Sequence, residues 1–103
     1  MSFVNNALKI TKDGMSVTTS GTSARQAIPN NSAGDRAKVV RVSCPNSSAY
    51  AFVMAGDVTV VATVASVSIG NFSDVLLDVT GCTHIAYIQG STAAVINISP
   101  LEV

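Results

Sequence analysis

Lys38-Val39-Val40-Arg41-Val42-Ser43-Cys44 is the stretch on which the reading of the fold turns. Valine fits a pleated surface and loses χ1 freedom in a helix. Side chains alternate between the faces of a strand, so Val40, Val42 and Cys44 share the inward face, opposite Val39, Arg41 and Ser43. Cys44-Pro45-Asn46-Ser47-Ser48 stops the run, and Asn30-Asn31-Ser32-Ala33-Gly34-Asp35 before it is a loop by composition. The stretch is therefore a central strand.

The same reading extends in both directions. Tyr50-Ala51-Phe52-Val53-Met54-Ala55 alternates large with small, which predicts a strand with Tyr50, Phe52 and Met54 toward the core, ending at Gly56-Asp57. Thr59-Val60-Val61-Ala62-Thr63-Val64 is a further strand, and Val67-Ser68-Ile69 an extension or separate edge piece before Gly70-Asn71. Val75, Leu77 and Val79 alternate with Asp74, Leu76 and Asp78 until Gly81. His84-Ile85-Ala86-Tyr87-Ile88-Gln89 and Ala93-Ala94-Val95-Ile96-Asn97-Ile98-Ser99 flank Gly90-Ser91-Thr92, a connection of hairpin type, and Pro100 ends the last strand. Toward the N-terminus, Met15–Ser20 and Ala24–Ile28 are separated by Gly21 and closed by Pro29. Residues 1–14, with the turn signal Asp13-Gly14, read as an arm or short edge strand, which leaves 15–103 as the domain.

This makes about eight short strands at spacings of roughly 8–12 residues, the pattern of an all-β antiparallel sandwich or barrel. No window sustains a 3.6-residue apolar period, which argues against a long helix. The long connection near residues 29–36 suits the crossover of a jelly-roll-like β-sandwich better than a meander. Shared-face alternation puts Val40, Val42, Phe52, Leu77, Ile96 and Ile98 in its core.

Apolar residues make up 48% of the 103, enough for one buried core. Charged residues make up only 12% and balance to zero, against about 25% in an average domain. That removes the electrostatic term nucleic-acid binding needs and predicts a surface covered by partners. Val58-Thr59-Val60-Val61-Ala62-Thr63-Val64-Ala65 is uncharged, β-prone and free of proline, so it lies in a sheet centre or under another subunit. The longest apolar stretch, Val58 to Ile69, is far short of the roughly 20 residues of a spanning helix, and Met1-Ser2-Phe3-Val4-Asn5-Asn6 lacks the basic start of a signal peptide. Cys44 and Cys82 are then expected as reduced, buried thiols.

Nothing in the chain composes a catalytic, cofactor or metal site. His84 is the single histidine, and no Gly-x-Ser-x-Gly elbow offers it a nucleophile. Asp74 and Asp78 on one strand face stand about 13 Å apart, too far for the glycosidase spacings of about 5–5.5 or 6.5–9.5 Å. Asp35 and Asp57 are single, at turns, and no segment holds the several acids of a calcium loop. A zinc site needs more ligands than two cysteines and one histidine spread along the chain. The densest basic group, Arg25, Arg36, Lys38 and Arg41, is diluted by Asp35 and reads as a solvated or interfacial face. Without tryptophan, and with only Phe3 and Phe72 outside the strands, a sugar-stacking platform has little to build on.

Gly81-Cys82-Thr83-His84-Ile85-Ala86-Tyr87-Ile88-Gln89-Gly90, followed by Thr92-Ala93-Ala94-Val95-Ile96-Asn97-Ile98-Ser99-Pro100, resembles the end of small structural proteins of tailed bacteriophages. In those a Thr-His-Ile/Val-Ala strand leads to a Gly-rich turn and a last strand closing in Thr/Ser-Pro. Thr19-Ser20-Gly21-Thr22-Ser23-Ala24-Arg25-Gln26-Ala27-Ile28-Pro29, Val39-Val40-Arg41-Val42-Ser43 and Ala49-Tyr50-Ala51-Phe52-Val53 fit the same pattern, so the likeness spans residues 17 to 100. The resemblance implies a non-enzymatic virion protein. It would be a capsid decoration (cement) protein that stabilises the major capsid protein lattice, or else a tail or head-fibre accessory protein. It also implies a homo-oligomer, with a trimer suited to pseudo-threefold lattice junctions, located on the capsid surface after assembly in the host cytoplasm. Outside that class, a carbohydrate-binding module and, last, a small β-sandwich hydrolase remain as alternatives.

Overall fold

The computed structural model describes residues 12–45, 49–70 and 72–101. Most of the expected N-terminal arm, residues 1–11, lies outside the described residues. Eight strands follow in order: β1 (Met15–Thr18), β2 (Ala24–Ala27), β3 (Val39–Cys44), β4 (Ala51–Gly56), β5 (Val67–Ile69), β6 (Ser73–Asp78), β7 (His84–Gln89) and β8 (Val95–Leu101). Among the described residues there is no helix. The strands form two four-stranded antiparallel sheets, β1-β8-β3-β6 and β2-β7-β4-β5.

The pairing is nested. First pairs with last, second with seventh, third with sixth and fourth with fifth. A long eight-stranded hairpin wrapped so that successive rungs fall alternately on two sheets gives this order, and β3–β8 and β4–β7 ladders then complete each sheet. That is the jelly-roll topology expected from the sequence.

The core lies between the sheets. Val40, Val42 and Cys44 of β3 are fully buried, as are Ile96 and Ile98 of β8, while Val75 and Leu77 of β6 pack at its margin. The second sheet contributes Ala51, Val53, Ile69, Ile85 and Tyr87. Each buried aliphatic side chain stabilises by about 1.5–3 kcal/mol relative to an exposed one. The inward parities expected for Val40, Val42, Cys44, Val75, Leu77, Ile96 and Ile98 are those observed.

In β4 the expected parity is reversed. Ala51 and Val53 are buried, whereas Tyr50 and Met54 are exposed and Phe52 is half-buried on the outer face. Tyr87 enters the core opposite Val53, and small inward neighbours leave it room. The displaced aromatics pack on each other outside, the Tyr50 and Phe52 rings meeting edge-on at 5.8 Å and 79°. Gly90 completes this cover, since a Cβ there would overlap the Tyr50 ring.

The strand expected over Thr59–Val64 does not form, and residues 57–66 are a loop between β4 and β5. Side chains capture the backbone first. Asp57 Oδ1 accepts the N–H of Thr59 at 2.8 Å and its hydroxyl at 2.6 Å, and Ser66 Oγ accepts the N–H of Thr63 at 3.0 Å. Ala65 N–H donates to Thr63 Oγ1 at 3.2 Å. Such local bonds offer the chain an alternative to the ladder.

The hairpin expected across Gly90-Ser91-Thr92 is a crossing between sheets, because β7 and β8 belong to different ones. Thr19, just past β1, anchors the far side of that crossing through three bonds with Ala94, two of them through its hydroxyl. The connection through residues 29–36 does cross from β2 to β3, and its turn is tied by Asn31 Oδ1, which accepts from Ala33 and Asp35 at 3.0 and 3.2 Å.

Candidate functional site

The residues weighed for chemistry are dispersed by the fold. His84 starts β7 between Ala27 and Gly56, and its Nδ1 lies 2.9 Å from Thr83 Oγ1. Asp74 and Asp78 are in the opposite sheet, on the outer face of β6. Cys44 is at one end of β3 and Cys82 beyond the other, so a strand length of about 20 Å separates them, too far for a disulfide. Neither cysteine forms a disulfide; Cys44 is buried as expected, whereas Cys82 is only half-buried. Among the described residues no three His, Cys, Asp or Glu side chains gather as a metal site would require.

The basic group is also divided. Arg25 is on β2, in the other sheet from Arg41 on β3. Arg41 is committed to Asp74, with Nε and Nη2 donating to Oδ2 at 2.9 and 2.6 Å. The pair is solvated, and exposed bridges of this kind contribute about 0–1 kcal/mol. Asp57 and Asp78 each cap a turn, and hydrogen bonds from Thr59 and Thr80 hold their carboxyls below the usual aspartate range.

What the fold does gather is an apolar edge. From Val42 to Ser73 the sequence contains one charged residue, Asp57. Among the described residues, the same stretch carries all the exposed large apolar side chains except Leu76: Tyr50, Met54, Val58, Val61, Val64, Val67 and Phe72. Tyr50 precedes β4, Met54 lies on the outer face of β4 and Val67 opens β5, with the three loop valines between them in sequence. Val64 is 74% exposed.

The loop is held against the sheet rather than hanging from it. Ala62 N–H donates to Ser23 Oγ at 2.9 Å, at the start of β2, across the sheet from β4. Ala62 and the outward Ala86 of β7 are both fully buried, a thin second apolar layer outside the core. The valines are thus presented on a fixed support. Sequence reasoning marked residues 58–65 as needing cover but assigned them to a strand; their turn chemistry, Asp57-x-Thr59 and Thr63-x-x-Ser66, was the signal for a loop.

Among the described residues, Arg41, Ser43, Cys44, Pro45, Phe72, Ser73 and Asp74 line a shallow cleft of about 240 Å³. Phe72 stands at its lip, 72% exposed, with φ of 55°. No family model, curated protein or solved structure matches the chain. The geometry is that of a β-sandwich with an uncharged stretch rich in exposed apolar side chains and with its polar side chains dispersed.

Proposed function

We propose that this protein is a non-enzymatic structural component of a tailed-phage particle, most simply a capsid decoration protein that binds and stabilises the major capsid protein lattice. The observation that carries the reading is the uncharged edge with Val58, Val61 and Val64 held out on a loop bonded to the sheet. Large apolar side chains left exposed together in one uncharged stretch of a small domain mark a protein contact. The sequence resemblance supplies the particle, and the jelly roll supplies a rigid body suited to bridging neighbours. Binding only the assembled lattice would stabilise it by mass action.

The test is reconstitution. Shells lacking the protein should assemble and then break at lower temperature or osmotic stress, and added protein should restore them. Val61→Asp and Val64→Asp chains, folded by circular dichroism, should fail to restore them. Restoration by both variants, or no binding to any particle, defeats the reading. Copy number per particle separates a capsid position from a tail or fibre one.

One observation favours carbohydrate binding as a second reading. Phe72 takes a left-handed backbone conformation that bulky residues rarely adopt, and its exposed ring lies beside the Arg41–Asp74 pair. Ring stacking with hydrogen bonds from such a pair is a mode of sugar recognition. Glycan binding that disappears in Phe72→Ala supports it, and a blank glycan array ends it.

A further inference from the structure

The two broad faces of the sandwich use their charges differently. On the β1-β8-β3-β6 side Arg41 and Asp74 pair with each other. In β2, β4, β5, β7 and the loop 57–66, the Asp, Glu, Lys and Arg residues come to one cation, Arg25, and one anion, Asp57. Among the described residues neither forms an ion pair. Both side chains are exposed, and Asp57 spends Oδ1 on Thr59.

The loop lies on the outer face of the β2-β7-β4-β5 sheet. By alternation from Val53 and Ala55 a Cβ on Gly56 would point outward, and there it would meet the Val60 side chain at 2.9 Å. Two residues on, Ala62 N–H reaches Ser23 at the start of β2. Between them Ala86 of β7, outward by alternation from Ile85 and Tyr87, is nonetheless fully buried. Val60 and Ala62 are thus the seated side of the loop, and Val58, Val61 and Val64 the exposed side.

An apolar face that carries one unpaired charge of each sign is its own complement. Any two points on one face are exchanged by a two-fold axis that lies in that face midway between them. Arg25 is level with Ala86 and Met54, so two strand spacings across and three residues along separate it from Asp57, about 14 Å. That is too far for the two to pair within one chain. We infer that two copies of this chain pair through the outer side of β2-β7-β4-β5. Arg25 of each copy meets Asp57 of the other, and Met54 and the loop valines are covered between them. Such a contact closes at two copies. A stable pair takes about 800 Å² from each copy, about one-seventh of the 5765 Å² the chain exposes, which one broad face of two supplies. With a net charge of zero, no long-range repulsion holds the copies apart.

The same valines serve the lattice contact proposed above, so the pair and the lattice compete for one surface; this step rests on that reading. The pair is then the stored form and the single copy the binding form. Apparent affinity for a shell falls with the unpaired fraction.

Sedimentation equilibrium of the full chain should show monomer and dimer and nothing larger. Arg25→Gln and Asp57→Asn should each weaken the dimer roughly three- to tenfold, the range of two exposed ion pairs. Asparagine keeps the oxygen that Thr59 needs. The double variant should be no weaker than either single one, because each removes the same two contacts. In Arg25→Lys, a carbodiimide should join position 25 to Asp57 between chains and never within one. A wild-type monomer at high micromolar concentration, additive losses, growth past two copies or a cross-link within one chain would each overturn the pair. Arg25→Gln should also saturate shells at a lower total concentration than wild type; equal or weaker binding would overturn the competition. A wild-type monomer that still restores shells overturns the pair and leaves the proposed function, and a dimer that restores none does the reverse.

Discussion

Thr19 Oγ1 accepts the N–H of Ala94 at 2.8 Å and donates to the Ala94 carbonyl at 3.2 Å, although 75 positions separate the two residues in sequence. Thr19 N–H also donates to that carbonyl, at 2.8 Å. Both residues are buried where the chain leaves β1 for the other sheet and where it returns to begin β8. Thr19→Val keeps the shape and strands the Ala94 N–H, so it should cost about 1–3 kcal/mol, whereas Thr19→Ser keeps the bonds and should cost less. Urea titrations that rank the two variants the other way would show that the hydroxyl does not hold the corner.

Gly14 lies against β8 so closely that a Cβ there would overlap the Ile98 carbonyl oxygen. Relief requires moving backbone rather than a side chain, which separates β1 from β8. Gly14→Ala should therefore destabilise by about 1–3 kcal/mol or more. An unchanged melting temperature would show that β1 docks less tightly than the structure has it.

The reversed parity of β4 makes a paired comparison possible. Ile96→Ala, in the core, should cost about 2–5 kcal/mol. Phe52→Ala removes a larger side chain from the outer face and should cost less than that, about 1–2 kcal/mol. A Phe52 loss as large as the Ile96 loss would return Phe52 to the core.

Acid should weaken the fold through Asp57 and Asp78. Thr59 holds the first carboxyl below the usual aspartate range, through its hydroxyl and then its N–H; Thr80 does the same for the second. A depressed folded-state pKa means the unfolded chain takes up protons first, so the stabilisation is complete above about pH 4 and is lost as pH falls through the folded-state values. Asp57→Asn and Asp78→Asn should each flatten the fall in stability below about pH 4. Equal slopes in wild type and both variants would remove these caps from the account.

The two thiols should differ in reactivity. Cys82 is half-buried and Cys44 fully buried, with its Sγ 3.5 Å from the Ala49 carbonyl. A thiol reagent on the native protein should label Cys82 first and Cys44 only on unfolding. Simultaneous labelling in native buffer would contradict the burial of Cys44.

The sequence is most legible where charge marks the solvent side. Arg41 in β3 and Asp74 and Asp78 in β6 can face only outward, so the parity of Val40, Val42, Val75 and Leu77 follows. In β4 no charged residue constrains the choice, and side-chain size pointed the wrong way because Tyr87, one strand over, takes up the space inside. Residues 59–64 have strand composition, but Asp57, Thr63 and Ser66 claim the backbone N–H groups locally. Gly90-Ser91-Thr92 has hairpin length, and only Thr19, far away in sequence, shows that the chain changes sheets there. The apolar edge could be read as a need for cover but not located, because its place depends on that loop.

The nesting of first strand with last also bears on how the molecule is made. Among the described residues β1 has no neighbour other than β8, so a nascent chain cannot close this sheet before β8 has left the ribosome. Folds dominated by such distant pairings form in milliseconds to seconds rather than microseconds. Throughout that interval the uncharged stretch between Val42 and Ser73 is open to other unfinished chains. Yield in the cell is thus set by a race between ring-closing within one chain and sticking between chains, and it should rise when synthesis is slowed or the temperature lowered.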